Sequence, residues 1–224
     1  MKVKTIETIQ LAEFANVLWV HVLTDEGPIG LGETFFGADA VAAYIHESAA
    51  PYLLGKDPLR IDEHSHALRS TYVGFSGSGV EMRGLSAIDI ALWDIFGQVT
   101  GQPIHQLLGG LSRERIRTYN TCAGYGYVRG RLNQITGQWQ PQGAAAEGPY
   151  EDFEAFLNRA DELALSLLEQ GITGMKIWPF DAYAAPSKGT YISGPDLARG
   201  LEPFRKIRKA VGDRMDIMVE LHTL

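Results

Sequence analysis

The chain has 224 residues, 45% hydrophobic and 21% charged, the balance of a soluble folded protein and enough for one large domain or two small ones. Its net charge of −7 lacks the basic excess of a nucleic-acid binder. A lone cysteine, Cys122, excludes an internal disulfide and makes a reducing cytoplasm the simplest setting, while no apolar run nears the roughly 18 residues that span a bilayer and MKVKTIETIQ lacks a signal-peptide stretch.

Residues 1–110 read as an α+β unit. Lys2–Gln10 alternates as a strand, Asn16–Leu23 is β-branched and aromatic, and Asp25-Glu26-Gly27 turns the chain into a third strand, Ile29–Glu33. Helices are expected over Ala38–Ala50 and Ile61–Ser70, punctuated by Pro51 and Pro58. Tyr72–Gly84, rich in Gly and Ser, reads as a loop. The next helix has Ser86 as N-cap, Ile88, Leu92, Ile95 and Phe96 at helical spacing, and Gly101 and Pro103 as its stop.

Beyond a boundary near 108–114, residues 111–224 alternate strand and helix. Arg115–Thr121, Ile172–Trp178 and Asp216–His222 read as strands, and Glu151–Gln170 and Asp196–Val211 as helices. Short helix-to-strand joints mark parallel βαβ units. Two long connections, Cys122–Tyr150 and Pro179–Pro195, leave the C-terminal ends of their strands, the face where parallel barrels build active sites. Arg129–Gly148, rich in Gly and Gln, reads as a lid, an oligomer contact or a plain surface loop.

Period-2 geometry sorts the strand residues into faces. Ile217, Val219 and Leu221 are expected to pack under the helices, which leaves Glu220 and His222 at the C-terminal mouth of the other face. A carboxylate and an imidazole placed there can hold a hard cation and move a proton. Met175 and Ile177 are expected outward, and Lys176 and Trp178 inward. A Lys in that interior needs a carboxylate partner or an anionic ligand, so an ion pair with Glu220 and a substrate contact both stand. Likewise Glu220 and His222 could serve structure alone. Trp178 reads as a pocket wall, and Cys122 as a small buried thiol.

SAIDIALWDIFGQVTGQPIHQLLGG (Ser86–Gly110), with GPIGLGET (Gly27–Thr34) upstream, resembles the mandelate racemase/muconate lactonizing branch of the enolase superfamily, and the similarity runs through the whole chain. The resemblance implies an α+β capping domain (1–110) followed by the first part of a TIM-type (β/α)7β barrel (111–224). It gives Asp89 and Asp94 an organising role at the junction of cap and barrel. The shared chemistry it implies is abstraction of the proton α to a carboxylate, with Mg²⁺ holding the charge that develops.

Residue by residue the likeness is partial. Members usually end the second barrel strand with Lys-x-Lys, whose second Lys is a base; here Lys176-Ile177-Trp178 keeps only the first. Glu220 matches the first metal ligand, and Glu220-Leu221-His222 is similar to the acidic-x-His pattern of sugar-acid dehydratases, in which the His is the general acid. The resemblance thus implies a Mg²⁺-dependent dehydratase acting on a small carboxylate, with Lys176 and His222 catalytic, Glu220 on the metal, and Phe14, Tyr72, Phe75 and Trp178 as substrate contacts. It also implies a symmetric homo-oligomer. An epimerase or cycloisomerase and a non-catalytic homologue are the alternatives. The family's other metal ligands and its His–Asp dyad belong to later strands, so the sequence reads as a segment of a longer protein.

Overall fold

The computed structural model describes residues 1–70, 78–124 and 151–222, in two compact units that divide between Glu114 and Arg115. In the first unit, β1 (Val3–Ile9), β2 (Val17–Thr24) and β3 (Ile29–Phe35) form an antiparallel meander in the order β1-β2-β3. Alternation along β2 sends Leu18, Val20 and Val22 into the core, each at most 1% exposed.

Helix α1 (Ala38–Tyr44) passes through a π-helical turn, Ile45–Ala49, into the short α2 (Ala50–Leu53). The wide turn lies just ahead of Pro51, whose ring clashes with a carbonyl four residues back in a regular helix. The Ala50 N–H accordingly bonds the Ile45 carbonyl, five residues back. Next come α3 (Ile61–Arg69) and α4 (Val80–Thr100).

Helix α4 begins at Val80, six residues before the Ser86 cap that its sequence suggests. Gly84, which reads as a loop residue, lies inside the helix because its missing side chain makes room for the Tyr44 ring. The Ala87, Ile88, Ala91, Leu92 and Ile95 side chains form its buried stripe.

The helix lies unusually close to β3. A Cβ on Gly32 would overlap the Ala87 carbonyl oxygen, and one on Gly30 the Ala91 carbonyl oxygen. Two α4 side chains reach past the strand to its outer edge. Asp94 Oδ2 accepts the Leu31 N–H at 2.9 Å, and Gln98 Nε2 donates to the Ile29 carbonyl at 2.7 Å. Two edge groups of β3 are thereby satisfied by side chains, and Asp94 is held within the first unit by the Leu31 N–H and Gln98. The short α5 (Ile104–Leu107) follows.

In the second unit, α6 (Asp152–Asn158) and α7 (Ala160–Glu169) replace the single helix that periodicity suggests. The break falls at Arg159, φ −133° and ψ 45°. Asn158 Nδ2 donates to the Glu154 carbonyl at 3.3 Å and competes for a helix acceptor, while the Arg159 guanidinium is drawn to Glu154 at 2.8 Å.

Strand β4 (Gly174–Ile177) leads through the one-turn α8 (Asp181–Ala184) to α9 (Gly194–Gly200) and α10 (Glu202–Val211). These last two again divide one expected helix. Pro203 favours a helix start, so the joint falls at Leu201, while the Ser193 hydroxyl caps α9 by accepting the Asp196 N–H at 3.2 Å.

Strand β5 (Asp216–Val219) pairs in parallel with β4, Lys176 opposite Met218. Met175, Ile177, Phe156, Leu163, Leu167 and Ile207 build the core between these strands and α6, α7 and α10. Arg115–Thr121 is not a strand. It makes one parallel bridge, Asn120 to Met175, and leaves Ile116 77% exposed, because its run of Arg, Thr and Tyr brings almost no apolar surface to bury. The expected apolar face of β5 is also only partly covered. Ile217 packs against the core, but Val219 and Leu221 are 47% and 52% exposed, since no described helix lies over the end of this edge strand.

The close helix–strand contact sets a test. Gly32→Ala should lower the unfolding free energy by about 3 kcal/mol through overpacking, read as a lower urea midpoint. An unchanged midpoint would mean that α4 lifts from β3 without cost.

Candidate active site

Parallel register brings the ends of β4 and β5 side by side, and the ladder continues one step through the Glu220 N–H to the Ile177 carbonyl at 3.0 Å. Four of the seven sequence candidates, Lys176, Trp178, Glu220 and His222, gather there. Lys176 Nζ lies 3.2 Å from Glu220 Oε2, with side chains 23% and 38% exposed. Of the two readings open for Lys176, the ion pair is therefore formed in this state of the protein. The Tyr119 ring stands 5.9 Å from the same ammonium. Glu220 Oε1 accepts the backbone N–H groups of Leu221 at 3.2 Å and His222 at 3.3 Å.

These bonds hold the Glu220 carboxyl below its ordinary value, with the Lys176 ammonium as the main cause and the His222 N–H next. A depressed carboxyl contributes stability that is present above its unfolded value and is lost as pH falls through the folded one. Solvent screening at this exposed site keeps the contribution small.

His222 has φ +44°, the left-handed region that few non-glycine residues adopt. Its Nδ1 lies 2.7 Å from Asp181 Oδ2, both side chains being less than one-fifth exposed. Its ring meets Trp178 edge to face, centroids 5.5 Å apart. Alternation put Trp178 on the Lys176 face. The strand stops at Ile177, however, and the indole joins the apolar cluster, 5.2 Å from the Phe156 ring.

Asp181 was missed by sequence reasoning. The available signal was a carboxylate in Trp178-Pro179-Phe180-Asp181, just past the strand and inside a connection already marked as functional. Burial pushes its carboxyl up, against the pull of His222, and an open pocket of about 510 Å³ lined by Phe180, Tyr191, Leu197 and Leu221 flanks it. Its Oδ1 is buried with no hydrogen-bond partner among the described residues.

Phe14 belongs to the first unit, half-buried with its ring edge-on to Trp19 at 6.1 Å. Tyr72 and Phe75 lie outside the described residues, as do residues 72–77 of the loop Tyr72–Gly84 and 125–150 of the connection Cys122–Tyr150. Cys122 is fully buried, and burial with Asp152 nearby pushes its thiol up to about 12.

Among the described residues no three His, Cys, Asp or Glu side chains cluster as a metal site. Glu220 is a single carboxylate at the strand end, which fits one ligand of a Mg²⁺ ion, since that ion usually takes one or two protein carboxylates and several waters.

Residues 3–109 match the family model of the mandelate racemase/muconate lactonizing enzyme N-terminal domain. The chain belongs to the enolase superfamily, on the mandelate racemase branch. It is 42% identical over 228 residues to the D-galactonate dehydratase family member RspA of Halomonas elongata, a match covering 99% of this chain and 53% of the relative. A D-galactonate dehydratase family member of Streptomyces bingchenggensis is 37% identical over 210 residues, 92% of this chain and 48% of that one. Among solved structures, an Agrobacterium tumefaciens enolase of the mandelate racemase subgroup is 55% identical with a TM-score of 0.79, covering 99% of this chain and 50% of the other. The chain thus spans about half the length of the curated relatives it matches. No described helix is long and apolar enough to cross a membrane.

The Lys176–Glu220 bond is open to titration. In Lys176→Met the Glu220 carboxyl, followed by carbon NMR, should titrate at higher pH than in the wild type. An unmoved midpoint would assign the depression to the backbone N–H groups instead.

Proposed function

We propose that this chain carries the cap and the first catalytic strands of a Mg²⁺-dependent dehydratase of sugar acids. The observation that carries the reading is the Glu220-Leu221-His222 end of β5. One side chain there is a carboxylate held by Lys176, and the other an imidazole held by a second carboxylate, Asp181. The names of relatives agree with this chemistry; a D-mannonate dehydratase of Novosphingobium aromaticivorans is 37% identical over 127 residues.

In this reading Glu220 is one ligand of the metal, with the others supplied by residues outside the described ones. The ion, when bound, supplies positive charge against the negative charge that develops on the substrate carboxylate. Lys176 is close enough to Glu220 to meet an anionic group bound there, and would orient the substrate carboxylate. His222 would give its proton to the departing β-hydroxyl, so that water leaves and the imidazole ends neutral. The buried Trp178 would keep water from one side of that imidazole. The base that removes the α-proton is a further residue of the complete site.

The test is incubation of the protein with Mg²⁺ and a panel of sugar acids in deuterated water. Release of a keto acid is the expected result, and α-deuteration without keto acid would replace the dehydratase by an epimerase. His222→Asn should cut dehydration by about 10²–10⁴-fold while Mg²⁺ affinity, measured by calorimetry, stays nearly unchanged. Loss of Mg²⁺ binding in that variant would make His222 a metal ligand instead.

A further inference from the structure

His222 is held from several directions. Its backbone N–H bonds Glu220 Oε1 at 3.3 Å, its ring leans edge-on against Trp178, and its Nδ1 meets Asp181 Oδ2 at 2.7 Å. The backbone sits at φ +44°, a conformation that costs a non-glycine residue energy unless its surroundings enforce it. Asp181 in turn is tied by Oδ2 alone, since Oδ1 has no partner among the described residues. The carboxylate and the imidazole therefore fix one another.

We infer that Asp181 is the positioning residue of His222, locking the imidazole in the tautomer that carries its hydrogen on Nδ1. The deduction is chemical. An ionised carboxylate only accepts, so the nitrogen facing ionised Asp181 donates, and the hydrogen bond at one ring nitrogen decides the protonation of the other. In the proposed dehydration, the imidazolium Nε2–H bond breaks as the substrate C–O bond breaks. The proton and the hydroxyl leave as water, and a neutral Nδ1–H imidazole remains against Asp181. The kinetic part of this inference rests on the dehydratase reading; the tautomer does not.

The experiment is long-range proton–nitrogen NMR on the full chain labelled at histidine nitrogens, with the His222 signals identified by their loss in His222→Asn. The wild type should show the Nδ1–H pattern for neutral His222. Asp181→Asn, close in shape but able to turn its amide either way, should lose that preference, and Asp181→Glu should restore part of it. Under substrate saturation Asp181→Asn should lower kcat by about 10²–10⁴-fold, the scale of a general acid's contribution, with KM little changed. A wild-type Nε2–H pattern, or an Asp181→Asn spectrum unchanged from the wild type, would overturn the assignment; the wild-type spectrum decides alone if the variant does not fold. The expected spectra in a protein that dehydrates no sugar acid would leave the positioning role standing and remove the dehydratase.

Discussion

Parallel pairing of β4 with β5, Ile177 opposite Val219, decides which side chains leave the sheet together. In a parallel ladder equivalent ends lie side by side, so residues just past each strand share one rim. Lys176 and Glu220 meet because of that register, and Trp178 and His222 follow two positions later in each strand end. A slip of a single residue would turn Glu220 to the other face and dissolve the pair. The core under the strands guards the register, because Met175 and Ile177 fill the space over α7 and α10 only in this alignment.

Much of the architecture was legible because periodicity reports burial. The meander, the apolar stripe of α4 and the alternation in β4 each follow from side chains that must be hidden from water. The departures have local causes that periodicity does not register. Asn158 ends α6 by a side-chain bond to its own helix, Pro203 starts a helix within an expected one, and the π turn before Pro51 absorbs a residue inside another. Gly84 reads as a breaker in isolation and as a helix residue once the Tyr44 ring lies against it.

At the site, legibility followed sequence separation. Glu220 and His222 lie two residues apart, and their pattern is visible in the string itself. Lys176 was found because a charged residue on an inward strand face demands a partner. Asp181 has no such signature: it reaches His222 across 41 residues, through a turn whose geometry no local rule supplies. The loop was marked by its length and place, but which of its polar residues turns back to the strand end is a property of the fold.

The carboxylate of Glu220 serves two masters at once. One oxygen holds the Lys176 ammonium, and the other anchors the peptide N–H groups of Leu221 and His222. Reorientation of that one group would thus be felt in two places, releasing the ammonium on one side and loosening the contorted backbone of the imidazole on the other. The Lys176 ion pair and the His222 backbone are then not independent fittings on a rim. They are two ends of a single lever, with Glu220 as its pivot.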